Sequence, residues 1–422
     1  MNKVLIITYY WPPSGGAGVQ RWLKFAKYLP EFGWEPIILT VDPEFAAYPV
    51  TDYSLEKDLP ATVEVYKTPA TDYFSIYNRD RSKIPSAGFA NSVNNTLKGK
   101  FLRFIRGNFF LPDPRKGWNK FAFKKACEII QTKGIKHVIT TSPPHSTQLI
   151  GLKIKKRYPG IKWIADLRDP WTDIYYYDQF YPTFISRAID SSFEKNVLEK
   201  SDQIITVGNS LKDSFDSKVK GVAAKTVVIT NGYDEDDFNM IKSTKPSKFT
   251  ITYIGTLSDH YPVDGLVDAL RKLQQEGREF NIRFVGTIAS KAKELILSSI
   301  EYSSVEFIPY TAHKEAIKYM LNSSVLLLII PFYQNNKSII TGKLFEYLAT
   351  GTPVICLGPG AGDAAGLLKE SGHGKTFHYS DSKGIFNNLT ALFTDNSVFE
   401  KASIKDFTRR ELAKKVVSVL EK

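Results

Sequence analysis

The feature of this sequence that most restricts its fold is the alternation of short apolar segments with helical patterns along almost the whole chain. Such alternation is typical of parallel sheets whose strands are joined by crossover helices. The sequence predicts strands at KVLIITYY, EPIILTV, HVITTS, KWIADL, QIITVG, TVVIT, FTITYIGTL, FNIRFVGT, VEFIPY, SVLLLIIPF and TPVICLG. We therefore predict a doubly wound α/β protein.

A polar stretch after Val228, ITNGYDEDDFNMIKSTKPSKF, interrupts this alternation, which then restarts with different residues. We predict two doubly wound domains, over residues 1–240 and 241–400, followed by a helical segment over residues 401–422. In such sheets ligands bind outside the carboxyl ends of the strands. Residues at strand-to-helix turns are therefore the main functional candidates.

Composition and apolar run length argue against several classes of protein. The two cysteines, Cys127 and Cys356, are far apart and lack metal-ligand spacing, which disfavours a disulfide scaffold or a zinc site. The longest apolar run, VLLLIIPFY, is about half of the ~20 residues that a membrane-spanning helix needs. The amino-terminal apolar run is too short for a signal peptide, so we expect a cytoplasmic protein.

The net charge of +12 is concentrated in residues 98–136, which contain eleven Lys or Arg and two acids. Helical spacing places Lys100, Arg103 and Arg106 opposite a face of Leu and Phe side chains. A basic amphipathic helix of this kind suits an anionic membrane surface. An ordinary helix with a solvated charged face is the alternative. No nucleic-acid-binding motif accompanies the charge, so we expect no nucleic-acid partner.

Two turns in the first half of the chain could bind a ligand. In PPSGGAGVQR, Gly15 and Gly16 precede a helix and would let a ligand approach the backbone. Arg21 stands where a dinucleotide fingerprint would need a glycine, but Asp42 could supply the acid that such a fingerprint has at the end of the second strand, so an NAD-dependent dehydrogenase remains a rival hypothesis. In TTSPPHSTQ, His145 lies just past a predicted strand, where it is either functional or merely structural.

The segment ADLRDPW follows the next predicted strand and contains Asp166, Arg168, Asp169 and Trp171. These side chains suit an internal Arg–carboxylate pair that holds a loop. They equally suit a hydrogen-bonding surface for a polyol. Another acidic cluster, DEDD at 234–237, contains an Asp-x-Asp that could chelate a metal, but its polar surroundings favour a solvated turn.

The segment SIITGKLFEYLATGTPVI predicts a helix that begins near Gly342 and ends before Pro353. Lys343 and Glu346 are three residues apart and therefore share one face at the start of that helix. The helix start and Lys343 suit a phosphate, and Glu346 can accept hydrogen bonds from the vicinal hydroxyls of a ribose. A sugar nucleotide presents these groups in that order. A Lys–Glu pair on the surface is the alternative.

Several segments together resemble a known family. YYWPPSGGAG, FGWEPIILT, ADLRDPW, TNGYD, YIGTL and KLFEYLATGTPVI are similar, in order, to blocks of the GT-B glycosyltransferases of family 4. The RDPW and KLFEYLATGTPV blocks resemble members that build surface polysaccharides. The resemblance implies two facing Rossmann-like domains, with the acceptor on the first, the donor on the second, and a final helix that returns to the first.

The resemblance also implies a retaining transfer from a UDP- or GDP-sugar to a lipid-linked or glycan acceptor, without a metal or cofactor. In such a reaction the departing diphosphate takes the acceptor's proton. His145 would be the cleft histidine that contacts the donor sugar or orients the acceptor. Donor-binding candidates are Gly255, Thr256, Tyr310, Thr341, Gly342, Lys343 and Glu346, and acceptor or cleft candidates are Gly15, Gly16, Arg168 and Asp169.

Three positions depart from the family's pattern. Ser338 stands where many members have a first glutamate, Thr256 where they have an arginine, and Asp264 where they have a lysine. These departures keep a second hypothesis open: a GT-B-like protein that binds a nucleotide sugar without turnover.

Overall fold

The computed structural model describes residues 1–60, 62–73, 96–239, 241, 246–394, 399 and 402–422. The chain forms two compact units. The N-terminal unit comprises Met1–Thr230 and Arg409–Lys422, and the C-terminal unit comprises Asn231–Thr408. Residues 240, 400 and 401, where the sequence placed its boundaries, lie outside the described residues.

The N-terminal unit is built on a seven-stranded parallel sheet in the order β3-β2-β1-β4-β5-β6-β7. Its strands are β1 Asn2–Ile7, β2 Trp34–Val41, β3 Glu64–Thr68, β4 His137–Ser142, β5 Lys162–Leu167, β6 Gln203–Thr206 and β7 Thr226–Val228. Its first six helices are α1 Ala17–Tyr28, α2 Leu97–Phe109, α3 Asn119–Lys133, α4 Gln148–Arg157, α5 Phe184–Lys200 and α6 Asn209–Lys218. The strand order reverses between β1 and β4, which is the point where ligands bind in doubly wound sheets.

The C-terminal unit is built on a six-stranded parallel sheet in the order β10-β9-β8-β11-β12-β13. Its strands are β8 Phe249–Ile254, β9 Phe280–Val285, β10 Val305–Ile308, β11 Val325–Ile329, β12 Val354–Leu357 and β13 Gly374–Phe377. Its helices are α7 Asp236–Asn239, α8 Asp264–Gln275, α9 Ser290–Ser299, α10 His313–Leu321, α11 Gly342–Thr350, α12 Asp363–Ser371 and α13 Ser382–Thr394. The predicted fold class, a doubly wound α/β protein with two parallel sheets, is confirmed.

The central strands are apolar along their whole length because helices cover both faces of each sheet. Every residue of β11 is buried, and so are the last four residues of β1. Two apolar clusters flank each sheet, one on each face. None of the helices in the described part of the chain combines the length and apolar character needed to cross a bilayer.

The last helix, α14 Arg409–Glu421, belongs to the N-terminal unit. It packs against α1 through buried side chains that include Leu412 and Val416. Lys162 of β5 donates hydrogen bonds to two carbonyls in its last turn, at 2.9 and 2.8 Å. The helix is therefore held by apolar burial along its length and by a cation at its carboxyl end.

Two strands were missed at the sequence level. They are β3 and β13, and both lie at an edge of their sheet. Most of their residues are only partly buried, and neither segment has the continuous apolar run that is typical of a central strand.

Candidate functional site

In the C-terminal unit, the start of α11 lies beside the carboxyl end of β8. Lys343 Nζ is 3.3 Å from the Tyr253 hydroxyl and 4.5 Å from the centre of that ring. Gly255, which follows β8, has a φ of 121°, and a Cβ built on it would stand 2.8 Å from Lys343 Nζ. The backbone conformation therefore favours glycine at position 255, and a Cβ there would also make the end of the Lys343 side chain move.

Burial lowers the pKa of Lys343 from 10.5 to about 8, and the nearby Glu346 carboxylate offsets only part of that effect. The ammonium group is thus short of compensating charge in the free protein. An anion bound beside it would restore that charge and raise the pKa again. The surroundings of Lys343 therefore favour an anionic ligand over a neutral one.

Glu346 does not form an ion pair with Lys343. Its Oε1 lies 2.8 Å from Nε2 of His313, the first residue of α10. Among the described residues its other oxygen makes no hydrogen bond of its own. The surface Lys–Glu pair considered above is therefore not formed, and the carboxylate is oriented by a histidine that sequence reasoning missed.

The other predicted donor residues lie along the carboxyl ends of the strands or at the start of α11. The carbonyl of Thr256 accepts a hydrogen bond from the Tyr253 hydroxyl at 2.7 Å. Thr341 is the N-cap residue, Gly342 begins the helix, and the buried Thr341 hydroxyl has no partner among the described residues. Tyr310 follows the edge strand β10 and is exposed.

In the N-terminal unit, a cavity of about 240 Å³ lies at the carboxyl ends of the central strands. Its lining includes Tyr10, Gly15, Arg106, His145, Arg168 and Trp171. Three of the predicted cleft residues, Gly15, His145 and Arg168, are thus brought together. Gly16 and Asp169 are not among the lining residues, although Gly16, with a φ of 92°, forms the N-cap of α1.

His145 begins the 3-10 turn that follows β4, and its ring stacks on Trp171 with a centroid distance of 4.8 Å. Neither ring nitrogen makes a hydrogen bond of ordinary geometry with the described residues. Burial lowers the pKa of His145 to about 4, against the opposing effects of Asp113 and the Pro170 carbonyl. The imidazole is therefore neutral at physiological pH and can exchange hydrogen bonds but not act as an imidazolium acid.

Arg168 joins two pieces of backbone at the edge of the cavity. Its Nε donates to the Ser142 carbonyl at 2.9 Å, and its Nη1 donates to the Gly18 carbonyl at 2.8 Å. The guanidinium group thereby fastens the end of β4 to α1. Its neighbour Asp169 has a raised pKa, because burial outweighs the attraction of Arg168.

Asp166 is fully buried and forms an internal ion pair. Its Oδ1 lies 3.1 Å from Nη2 of Arg21, while its Oδ2 accepts hydrogen bonds from Trp22 and Thr141 at 2.7 Å. The sequence analysis considered a pair within ADLRDPW, but the close partner of Asp166 is an arginine outside that segment, and Arg168 Nε lies 3.9 Å from Asp166 Oδ2. The pair with Arg21 also explains why arginine, and not a fingerprint glycine, occupies position 21.

The structure gives α2 an orientation that differs from the sequence expectation. Arg106 lies with its guanidinium carbon 4.0 Å from the centre of the Phe180 ring, and Arg103 lies over Tyr181. Lys100 is exposed, and so are Phe101 and several other apolar residues of the same helix. Periodicity placed Lys100 on the face opposite the Leu and Phe side chains, but in the structure Lys100 is exposed together with Phe101, while Arg103 and Arg106 contact aromatic rings of the protein.

Further residues of the cavity were not predicted at all. Arg115 and Asp113 come from the turn before α3, and Tyr176 and Asp190 come from the segment between β5 and the middle of α5. The one signal for the first pair was the motif PDPR, in which Asp113 caps a 3-10 turn. The described residues contain no group of three or more His, Cys, Asp or Glu side chains that could hold a metal ion.

Comparison with solved structures places the whole chain in the GT-B fold. A glycosyltransferase from Rickettsia africae ESF-5 matches with a TM-score of 0.61 at 16% identity, over 100% of this chain and 98% of the other. The apo form of WaaB, a lipopolysaccharide outer core galactosyltransferase, matches with a TM-score of 0.60 at 12% identity, over 100% and 99%. An E. coli structure described as trehalose-6-phosphate, bound with UDP-2-fluoro glucose, matches at 0.61 and 11% identity, over 100% and 96%.

One segment of the chain also matches a protein-family model. Residues 248–395 match the model described as "Glycosyl transferases group 1". The matched segment contains Gly255, Lys343 and Glu346, and it spans the sheet of the C-terminal unit. Among curated protein sequences, none matches this chain significantly.

Proposed function

We propose that this protein is a glycosyltransferase that transfers a sugar from a nucleotide-sugar donor to a glycan or lipid-linked acceptor. The observation that carries the proposal is the arrangement at the start of α11, where Lys343, Glu346 and a helix N-terminus meet at the carboxyl end of β8. This arrangement lies inside the segment that matches the group 1 glycosyltransferase model. A sugar nucleotide supplies a diphosphate for Lys343 and a ribose for Glu346.

In this proposal the C-terminal unit binds the donor and the N-terminal unit binds the acceptor. Lys343 stabilises the negative charge that develops on the departing diphosphate, and the start of α11 adds its free N–H groups. His313 holds the Glu346 carboxylate toward the ribose. His145, neutral in its cavity, positions a hydroxyl by hydrogen bonding.

We further propose that transfer retains the configuration of the donor sugar and requires no metal. The diphosphate leaving group accepts the acceptor's proton, so the protein need not supply a nucleophile or a general base. The similarity of the sequence blocks to enzymes of surface polysaccharide synthesis supports a surface glycan as the product. UDP- and GDP-sugars are the donors to test first.

A second function, nucleotide-sugar binding without turnover, follows from the departures noted in the sequence. Thr256 contributes its carbonyl to a hydrogen bond with Tyr253 and adds no charge. Asp264 begins α8, and Ser338 ends a 3-10 turn. Lys343 is then the main cation for a diphosphate, and weak stabilisation of the leaving group would permit binding while slowing transfer.

A thermal-shift screen against nucleoside diphosphates, nucleotide sugars and NADH tests the proposal. A ligand at one hundred times its dissociation constant adds about 2.7 kcal/mol to the free energy of unfolding. We expect stabilisation by a UDP- or GDP-sugar and none by NADH, with the effect lost in Lys343→Met. Stabilisation by NADH alone would instead support the dehydrogenase hypothesis.

We also propose that the protein docks on the inner face of a membrane with anionic lipids through α2 and the start of α5. Large apolar side chains on both helices are exposed, among them Leu97 at 86% and Phe184 at 85%. Asn108 joins the two helices by accepting hydrogen bonds from Thr183 N and Ser186 Oγ. Lys100 of α2 is exposed, which suits an anionic surface, and Arg187 of α5 is exposed as well but forms an ion pair with Asp178 at 2.6 Å.

In this arrangement apolar insertion and charge attraction act together. Vesicle binding should weaken with salt because of the lysines and arginines, but a salt-resistant part should remain and should disappear in Phe101→Ser/Phe184→Ser. Nucleotide binding should be unchanged in that variant. Equal vesicle binding by parent and variant would show that this surface does not insert into the membrane and has another role, such as self-association.

A further inference from the structure

The side chain of Lys343 crosses the carboxyl edge of the sheet in the C-terminal unit. Its helix, α11, packs through Leu344 and Tyr347 into the apolar cluster on one face of that sheet. Tyr253, which the ammonium group contacts, belongs to the cluster on the other face. Between the two, the end of the lysine side chain passes close to Gly255. A long and flexible side chain keeps such a position only where contacts hold it.

The Tyr253 side chain supplies two such contacts. Its single hydroxyl proton is donated to the Thr256 carbonyl at 2.7 Å. The lone pairs of the hydroxyl oxygen therefore face other donors, and Lys343 Nζ lies 3.3 Å from that oxygen. Nζ also lies 4.5 Å from the centre of the ring, within the range of a cation–π interaction. Tyr253 thus holds the ammonium group through both its oxygen and its ring.

Tyr253 is itself fixed, because it lies in a strand with neighbours on both sides. It is fully buried, and it is paired with Phe284 of β9 and with Leu327 of β11. Tyr347 joins the same strand to α11, since its hydroxyl accepts a hydrogen bond from Ile254 N at 3.1 Å. The strand that carries the phenol and the helix that carries the lysine are therefore fixed to each other.

The partner of the lysine is neutral. Burial raises the pKa of Tyr253 well above its usual 10, and burial likewise raises the pKa values of its titratable neighbours Tyr261 and Tyr347. A carboxylate in the place of this phenol would form an ion pair with the ammonium group and compete with an incoming anion. The phenol adds no negative charge, so the charge of Lys343, offset in part by Glu346, remains available to a ligand.

We propose that Tyr253 is a positioning residue, which holds the protonated Lys343 side chain over the carboxyl end of β8, where that side chain meets the diphosphate of the donor. The identity of the anion rests on the proposed function, but the contact between the two side chains does not. Tyr253 acts through Lys343 and need not touch the donor itself.

A titration of Lys343 in the free protein tests this role without any ligand. With ¹³C-labelled lysines, the Cε signal of Lys343 is assigned by its absence from Lys343→Met, and its pH dependence gives the pKa. Tyr253→Phe keeps the ring and removes the oxygen that accepts from Nζ. The pKa, about 8 in the parent, should shift by about half a unit or more, downward if the lysine stays buried and upward if it moves into solvent. An unchanged pKa would overturn the proposal.

Tyr379→Phe is the matched control. Tyr379 is also buried in the C-terminal unit, and its hydroxyl donates to the Ile330 carbonyl at 2.8 Å and accepts from Asn336 Nδ2 at 3.0 Å. The substitution therefore removes a hydroxyl with the same pattern of bonds but with other partners. It should lower stability in urea by a similar amount and leave the pKa of Lys343 unchanged. An equal shift of that pKa in Tyr379→Phe would overturn the proposal, since the effect would then be a general one.

Isothermal titration with UDP or GDP gives the second measurement. Tyr253→Phe should weaken the affinity at pH 7.5 about threefold or more, because the ammonium group is no longer held where the diphosphate binds. Tyr379→Phe should bind as the parent does. Equal affinities of the parent and Tyr253→Phe would overturn the proposal.

The two measurements separate this proposal from the proposed function. If neither nucleotide binds the parent and the pKa of Lys343 still shifts in Tyr253→Phe alone, Tyr253 positions the lysine and the donor assignment fails. If a nucleotide binds through Lys343 and Tyr253→Phe changes neither the affinity nor that pKa, the donor site stands and the role of Tyr253 fails.

Discussion

The lowered pKa of Lys343 makes nucleotide affinity depend on pH in a way that can be calculated. In the free protein that pKa is about 8, and a bound diphosphate should raise it. Affinity should therefore be constant below about pH 7 as far as Lys343 is concerned and should fall as pH rises through 8. At pH 9 only about a tenth of the free protein carries the protonated lysine, so affinity should be about tenfold lower, or about 1.4 kcal/mol.

Isothermal titration of UDP or GDP between pH 7.5 and 9.5 measures this dependence, over a range where the diphosphate is fully ionised. In buffers of different ionisation enthalpy, the same titrations should reveal proton uptake on binding, close to one proton near pH 9. Lys343→Arg stays charged, so its affinity should not change over the range. A flat profile in the parent, or an equal slope in Lys343→Arg, would refute the assignment of Lys343 to the diphosphate.

Three other variants test the sites. Gly255→Ala should lower the free energy of unfolding by about 1–3 kcal/mol and should also displace Lys343. Gly277→Ala is the control, because residue 277 has a φ of 73° and open space around it, so the substitution should strain the backbone alone. Urea unfolding and UDP titration compare the two variants, and equal nucleotide affinities would contradict the account. Glu346→Ala should weaken nucleotide binding by about 1.5–3 kcal/mol, and His313→Ala should weaken it less. Removing the 2′-hydroxyl of the donor should cost less affinity in Glu346→Ala than in the parent. If the 2′-deoxy donor lost the same affinity in both proteins, Glu346 would not bind the ribose. His145→Ala should lower turnover roughly 10²-fold with nearly unchanged nucleotide affinity. Because the pKa of His145 is about 4, parent and His145→Ala should show the same pH dependence of activity above pH 5. Parent-like turnover would leave His145 a structural role only.

The fold was largely predictable because buried parallel strands must be apolar throughout. HVITTS and KWIADL were predicted as strands over the same residues that form β4 and β5. Edge strands carry a weaker signal, since one side of an edge strand has no neighbouring strand, and this is why GKTF of β13 was missed. Helical spacing likewise could not show which side chains of α2 face the protein, because this depends on contacts with distant residues such as Phe180 and Tyr181.

Residue spacing alone predicted parts of the candidate site only where the residues are close in sequence. Lys343 and Glu346 share a helix, so their spacing placed them together. His313 reaches Glu346 from another helix, 33 residues away in sequence, and no local pattern connects them. The sequence also could not decide between the two roles of ADLRDPW, because the partner of Asp166 is Arg21, at a separation of 145 residues.

The central claim is that the chain transfers a sugar, and the most direct measurement is the mass of an acceptor after incubation with protein and donor. UDP- and GDP-sugars should be tested as donors with lipid-diphosphate-linked sugars as acceptors, and the nucleoside diphosphate released should be quantified in the same samples. We predict that an acceptor gains the mass of one glycosyl residue, with an equimolar release of nucleoside diphosphate, and that Lys343→Met abolishes both. Saturable donor binding without any gain in acceptor mass and without nucleoside diphosphate release would contradict the claim and favour the binding protein without turnover.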